Sequence, residues 1–74
     1  MSIEEKFGKI ILKYRNEKNI SQEMLGILSG LDRTYIGLLE RGKRNPTLKT
    51  ILKLAETLEI RASLMVQEFE KIDN

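Results

Sequence analysis

The chain has 74 residues, a length that suits one small domain with a single core. It contains no cysteine and no histidine, which excludes disulfides, thiolate metal sites and imidazole ligands, so we expect no metal, no cofactor and no enzymatic activity. The net charge is +2 and no apolar run approaches the roughly 18 residues of a membrane span, so we expect a cytoplasmic protein without a signal peptide.

A first helix is predicted from Ile3 to Lys18, because apolar residues recur there at steps of three and four. This stripe consists of Ile3, Phe7, Ile10, Ile11 and Tyr14. Glu4 and Glu5 lie in the first turn and Arg15 lies near the end, which is the arrangement that the helix dipole favours.

Residues 21 to 41 predict two short helices joined by a tight turn. The first should span about 22 to 29 with Ser21 as its N-cap, and the second about 33 to 41 with Asp32 as its N-cap. Gly30 can end the first helix because glycine adopts the left-handed conformation without steric cost. Two helices in this arrangement form a helix-turn-helix pattern.

The buried sides of these two helices are predicted from the same spacing. They consist of Met24, Leu25 and Leu28 in the first helix and of Ile36 and Leu39 in the second. Glycine inside a helix costs about 1 kcal/mol relative to alanine. We therefore expect Gly26 to lie where the two helices approach most closely.

Two more helices are predicted after the loop that ends at Pro46. Thr47 should cap a fourth helix from Leu48 to Leu58, and Ser63 should cap a fifth helix at about 64 to 72. The predicted buried stripe of the fourth helix consists of Leu48, Ile51, Leu52, Ala55 and Leu58. The chain is therefore predicted to be one compact all-α domain of five helices, spanning residues 1–74.

Positive charge is concentrated between residues 32 and 46, which contain four cations and two anions, whereas residues 47 to 74 contain four cations and five anions. The cations of the first segment are Arg33, Arg41, Lys43 and Arg44. A cluster of this kind indicates either a nucleic-acid interface or simply a solvated loop.

The fifth helix has more apolar residues than one buried stripe needs. They are Leu64, Met65, Val66, Phe69 and Ile72. Because exposed apolar surface on a small domain often marks an interface, we expect Leu64, Met65, Phe69 and Ile72 to form the interface of a homodimer. The alternative is an ordinary core helix in which Val66 or Ile72 is exposed singly.

The chain resembles the lambda-repressor-like (Cro/C1, Xre-type) helix-turn-helix family over nearly its whole length. The resemblance rests on Arg15 with Ser21-Gln22, on Gly30, on the pattern I-x-x-L-E-R-G from Ile36 to Gly42, and on Pro46-Thr47. Within the family, LDRTYI followed by ERGKRN is similar to the controller proteins of restriction-modification systems, which are small dimers. The family implies a sequence-specific regulator that binds double-stranded DNA through the second helix of the pair.

The resemblance also implies which residues touch base edges. Arg33, Thr34 and Tyr35 match positions that enter the major groove, where an arginine can bond guanine through O6 and N7. Leu38 and Arg44 match further positions that can reach a base or a thymine methyl group. These five residues are the expected base-reading set.

Four residues match family positions that hold the phosphate backbone. They are Ser21, Gln22, Lys43 and Asn45, and the family glutamine also braces the recognition helix. Gly37 departs from many relatives, which have a polar residue there. Base reading should therefore depend on the first turn of the recognition helix.

Other residues have expected roles outside direct recognition. Arg15 and Glu40 match a family pair that forms a structural salt bridge, and Arg41 is interpreted as a partner of the helix dipole rather than as a DNA ligand. Tyr35 has an alternative role in the core. Glu23 lies where related activators present an acidic residue to RNA polymerase, although most exposed glutamates have no such role.

Two functions are compatible with these features. The first is a homodimeric transcription regulator on a pseudo-palindromic operator, and the second is an antitoxin-type interaction module with secondary DNA binding. The second needs a toxin-binding tail, for which the residues after Ile72, Asp73 and Asn74, leave little room. No small-molecule ligand is expected, because five helices around one core leave little space for a pocket.

Overall fold

A computed structural model describes residues 1–72 of the chain as five helices. Their bounds are α1 Ile3–Glu17, α2 Gln22–Ser29, α3 Arg33–Glu40, α4 Leu48–Thr57 and α5 Ala62–Lys71. Within residues 1–72, no helix is long and apolar enough to cross a membrane. The Asp73-Asn74 end, on which the argument against a toxin-binding tail depends, lies outside the described residues.

Three predicted N-caps are confirmed, and they determine where the middle helices begin. The Ser21 hydroxyl accepts a hydrogen bond from the Met24 amide at 3.0 Å, which starts α2. The Asp32 carboxylate accepts from the amide two residues later at 2.8 Å, and the Thr47 hydroxyl accepts from the Thr50 amide at 3.1 Å. Each cap satisfies an amide that has no partner inside its own helix.

The predicted start of the fifth helix is wrong. The helix begins at Ala62, Arg61 is its N-cap without a side-chain hydrogen bond, and Ser63 lies inside the first turn. The left-handed backbone of Glu59, whose φ is 59°, turns the chain directly after the Leu58 C-cap of α4, so the next helix begins two residues earlier than predicted. The amide of Leu64 then donates to the Arg61 carbonyl at 3.0 Å.

The core is formed by apolar residues from all five helices. Its members are Phe7, Ile10, Ile11, Tyr14, Leu25, Ile36, Leu39, Leu54, Ala55, Leu58 and Met65. Five residues assigned to apolar stripes lie outside it, since Ile3, Met24, Leu28, Leu48 and Leu52 are between 42% and 70% exposed. In α4 the buried stripe is turned toward Leu54, which the spacing argument did not select.

Two glycines allow α3 to lie close to its neighbours. A Cβ atom on Gly26 would lie 2.8 Å from the Leu31 carbonyl oxygen, so α2 meets the start of α3 where only glycine fits. A Cβ atom on Gly8 would lie 2.5 Å from the Leu39 carbonyl oxygen, so α1 meets the end of α3 in the same way. Both ends of α3 are therefore held by backbone contact.

Candidate nucleic-acid interface

An ion pair between Arg15 and Glu40 anchors the end of α3 to α1. The Arg15 Nε donates to one carboxylate oxygen of Glu40 at 2.6 Å and its Nη2 donates to the other at 3.0 Å. The third nitrogen donates to the Ile20 carbonyl oxygen at 2.9 Å. The hydrogen bond with Glu40 raises the pKa of Arg15 above its ordinary value, so the arginine stays charged. Side-chain exposures of 13% and 4% make this a buried, bidentate pair.

Gln22 joins the same network from the first turn of α2. Its amide nitrogen donates to the Glu40 carboxylate at 2.9 Å. Because an ionised carboxylate only accepts hydrogen bonds, the nitrogen must face Glu40 and the amide oxygen must point the other way. That oxygen lies 3.6 Å from the position that a Cβ atom on Gly37 would occupy. Gln22 therefore braces the recognition helix, as the resemblance implied.

The outer side of α3 carries an open concavity of about 230 Å³. It is lined by Gln22, Arg33, Thr34, Gly37 and Arg41. Arg33 and Thr34 are exposed in the first turn, beyond the Asp32 cap. The structure thus brings together three of the predicted DNA-binding residues and adds Gly37 and Arg41 to them.

Tyr35 and Arg44 form a second group beside this concavity. The Tyr35 ring is half-buried against the core, and its hydroxyl lies 3.3 Å from the hydroxyl of Thr50, a buried residue of α4. The guanidinium carbon of Arg44 lies 5.3 Å from the centre of the ring, within the range of a cation–π interaction. Tyr35 is therefore partly a core residue, which agrees with the alternative role given above, and its ring also packs against the guanidinium of Arg44.

The remaining predicted contacts lie around these two groups. Lys43 and Asn45 are exposed in the loop after Gly42, whose φ of 72° turns the chain away from α3. The Lys43 amide donates to the Leu38 carbonyl oxygen at 2.9 Å, which fixes the start of the loop. Ser21 is exposed while it caps α2, and Leu38 is half-buried outside the concavity.

The side chain of Arg41 does not lie where a partner of the helix dipole would lie. Its terminal nitrogen Nη1 lies over Gly37, 3.2 Å from the position of a Cβ atom there. Among the residues that the structure describes, its side chain makes no hydrogen bond to a helix carbonyl and no ion pair. The signal that could have found this arrangement is the spacing of four residues between Gly37 and Arg41, which places both on one helix face.

The predicted dimer residues on α5 have unequal exposure. Leu64 is 38% exposed and Val66 is 48% exposed, while Phe69 and Ile72 are half-buried against the core. Met65 is completely buried, so its assignment to an interface is wrong: the residue points between the helices rather than outward. The first-turn Glu23 of α2 is exposed, in keeping with a residue free to meet another molecule.

Comparison with known proteins places this geometry in a family. A family model described as helix-turn-helix matches residues 11–64, which include all of α2, α3 and α4. Control protein C.SmaI of Serratia marcescens is 50% identical over 58 residues, which cover 78% of this chain and 69% of that protein. Control protein C.MunI of a Mycoplasma species is 39% identical over 67 residues, which cover 89% and 90% of the two chains.

A solved structure has the same fold and a similar sequence. The restriction-modification controller protein C.AhdI of Aeromonas hydrophila superposes with a TM-score of 0.81 at 48% identity, covering 84% of this chain and 94% of that one. The fold and the family predicted from the sequence are confirmed. The chain therefore belongs to the Cro/C1-type helix-turn-helix family of DNA-binding transcription regulators.

Proposed function

We propose that the protein binds a pseudo-palindromic operator as a homodimer and regulates the genes of a restriction-modification system. The observation that carries this proposal is the outward face of α3, where Arg33 and Thr34 are exposed beside the basic loop of residues 43 to 45. The buried pair of Arg15 and Glu40 orients that face before DNA is bound. Regulation then follows from occupancy of the operator.

Base reading is assigned to two groups of side chains. Arg33 donates to O6 and N7 of a guanine in the major groove, and Thr34 contacts a neighbouring base edge. The Thr47 hydroxyl donates to Thr50 at 3.1 Å, and when Thr50 donates in turn to Tyr35 the phenolic hydrogen remains free for a DNA acceptor. Arg44, held over the Tyr35 ring, is assigned to an adjacent base, while Leu38 can contact a thymine methyl group.

Phosphate contacts are assigned to the residues around this surface. Gln22 and Ser21 lie at the start of α2, and Lys43 and Asn45 lie in the loop, so they bracket α3 on two sides. The loop has two cationic side chains, Lys43 and Arg44, and these displace counterions from DNA on binding. Affinity should therefore fall steeply as the salt concentration rises.

The dimer contact is assigned to α5. Exposed Leu64 and Val66 lie on this helix, with Phe69 and Ile72 half-buried behind them. In a dimer joined through α5, binding to consecutive major grooves requires the two α3 helices to lie about 34 Å apart. The operator should then contain two half-sites one helical turn apart.

The relatives support this role over the antitoxin alternative, because C.SmaI and C.MunI are named control proteins and C.AhdI is named a restriction-modification controller protein. A cytoplasmic location goes with the function, since the operator DNA is in that compartment. Exposed Glu23 is the candidate contact for RNA polymerase if operator binding activates a promoter.

Binding of the purified protein to the DNA upstream of its own gene tests the proposal. We expect Arg33→Ala and Arg44→Ala each to weaken binding about 10- to 100-fold. Arg61→Ala is the matched control, because Arg61 is an exposed arginine at the N-cap of α5 that does not line the concavity. Unchanged binding by both variants, or equal loss in the control, would refute the site assignment.

A further inference from the structure

The recognition helix has a gap in its outer face at Gly37. A helix in the major groove presents successive turns to successive base pairs, and a glycine in the middle turn has no side chain with which to read one. Gly37 nevertheless lies in the lining of the concavity, between Arg33 and Arg41. Something other than the residue at 37 must therefore face the DNA at that point.

The guanidinium of Arg41 occupies this position. A Cβ atom on Gly37 would come within 3.2 Å of Arg41 Nη1 and within 3.9 Å of its guanidinium carbon, so the arginine lies directly over the glycine. A side chain at the end of a helix leans back toward the preceding turn, which accounts for the direction. A side chain longer than a methyl group at position 37 would compete with the guanidinium for this space.

The buried network favours a cation at this point. Glu40 holds the Gln22 amide nitrogen, so the amide oxygen is turned toward Gly37, 3.6 Å from the Cβ position that Arg41 also borders. This oxygen is an acceptor with no hydrogen available to repel a guanidinium. The network of Arg15, Glu40 and Gln22 therefore orients the helix and also places an acceptor oxygen beside the site that Arg41 occupies.

We infer that Arg41 is a base-reading residue, which reaches a guanine of each half-site across Gly37. The inference rests on the proposed function and deepens it, because it adds a second specificity-determining arginine to the same surface. Arg33 reads from the first turn of α3 and Arg41 reads from the middle, where its guanidinium replaces the missing side chain. The rigid planar fork of arginine matches guanine O6 and N7, which a lysine at 41 would not match.

The test measures affinity for a panel of operators in which each base pair of the half-site is changed in turn. The wild-type protein should lose about 10- to 100-fold in affinity at the base pair that Arg41 reads. Arg41→Ala should bind the parent operator correspondingly less tightly and no longer discriminate at that one base pair, while discrimination elsewhere persists. Arg41→Lys should behave like the alanine variant at that base pair despite keeping the charge.

A second variant tests the part played by Gly37. Gly37→Gln fills the space over which the guanidinium lies, so preference should change at the same base pair, and adding Arg41→Ala to it should change little further. Arg61→Ala is the control for loss of an exposed arginine, and circular dichroism checks that each variant is folded.

Two results would overturn the inference. One is equal loss of affinity for every operator with a salt slope smaller by about one per subunit, which would make Arg41 a phosphate contact. The other is unchanged discrimination in Arg41→Ala. If the wild-type protein showed no sequence preference, or Arg33→Ala had no effect, the proposed function itself would fail, so the two failures are distinguishable.

Discussion

Helices α3 and α5 both pack on α1, but α1 holds them by different means. The link to α3 is the buried, bidentate ion pair of Arg15 and Glu40, in which every guanidinium nitrogen has a hydrogen-bond partner in the protein. The link to α5 is the ion pair of Lys13 and Glu68, whose side chains are 51% and 22% exposed. One oxygen of Glu68 is buried without a hydrogen-bond partner among residues 1–72.

This difference matches the functions proposed for the two helices, which are DNA reading for α3 and dimer contact for α5. A helix that reads base edges must arrive in one orientation, because a base contact depends on both distance and angle. A helix that joins two copies can leave some apolar side chains exposed in the single chain, because the partner buries them on binding. The helix α5 has no side-chain N-cap and retains exposed Leu64 and Val66, so a partner chain would bury what the single chain leaves open.

The largest expected effect is loss of the buried pair. Glu40→Ala should destabilise the fold by about 3 to 5 kcal/mol, because it leaves the Arg15 charge buried without its partner. Urea unfolding followed by circular dichroism measures the change. Glu68→Ala removes the corresponding partner on α5 and should cost much less, because Lys13 remains in contact with water.

Glu40→Gln serves as a second variant if Glu40→Ala does not fold. It keeps a hydrogen-bonding oxygen near Arg15 while it removes the charge, and it should lie between the wild type and the alanine variant in stability. Equal destabilisation by Glu40→Ala and Glu68→Ala would mean that α1 holds the two helices equally, contrary to the comparison.

The next effect separates the two sides of α5. Met65→Ala should cost about 2 to 5 kcal/mol through the cavity it leaves in the core. Val66→Glu lies on the exposed side and should leave the monomer folded while it shifts the dimer toward monomer in sedimentation experiments. Unfolding must be compared at equal protein concentration, since dimer formation adds to apparent stability.

A control on another helix completes this experiment. Leu52→Glu changes a residue on α4 that is 52% exposed, outside the proposed interface. If this variant dissociated the dimer and Val66→Glu did not, the assignment of the interface to α5 would be wrong.

A smaller effect distinguishes two glycines within the reading unit. Gly26→Ala should destabilise the protein by about 1 to 3 kcal/mol, because the new Cβ meets the backbone oxygen of Leu31 at 2.8 Å. Gly37→Ala meets only the movable end of Arg41 at 3.2 Å and should gain up to about 1 kcal/mol from helix propensity. Thermal unfolding measures both, and equal losses would contradict the view that movable side chains, rather than backbone, cover Gly37.

Sequence reasoning was most successful where a local chemical signal exists. Ser21, Asp32 and Thr47 begin helices because their side chains satisfy amides a few residues away, and such signals depend only on neighbouring residues. The pair of Arg15 and Glu40 was predicted only through the family resemblance, since nothing local relates residues 25 positions apart.

The errors arose where two helix faces carry similar residues. In α4, the stripe with Leu48 and Leu52 and the stripe with Leu54 both repeat at helical spacing, and only packing against the other helices selects the second. Met65 could not be separated from its exposed neighbours for the same reason. The place of the Arg41 side chain over Gly37 was not predicted, because it depends on the absence of a side chain at position 37.

The smallest effect concerns pH and the weaker of the two links. The hydrogen bond from Lys13, at 2.5 Å, holds the pKa of Glu68 below its ordinary value of 4.5. A carboxylate with a lowered pKa in the folded state stabilises the fold above its ordinary pKa, and that contribution is lost as the pH falls through the lowered value. Stability should therefore decline below about pH 4.5, where the unfolded chain binds the proton more readily.

Glu68→Gln removes this titration and should flatten the decline in thermal midpoint between neutral pH and about pH 3. Glu59→Gln is the matched control, because Lys18 likewise lowers the pKa of Glu59, but at an exposed pair in which both side chains remain in water. The Glu68 variant should flatten the curve more than the control does. If both flattened it equally, the ion pair between α1 and α5 would contribute no more than an ion pair on the surface, and the buried apolar side of α5, with Met65 in the core, would be left as the main determinant of how firmly that helix is held.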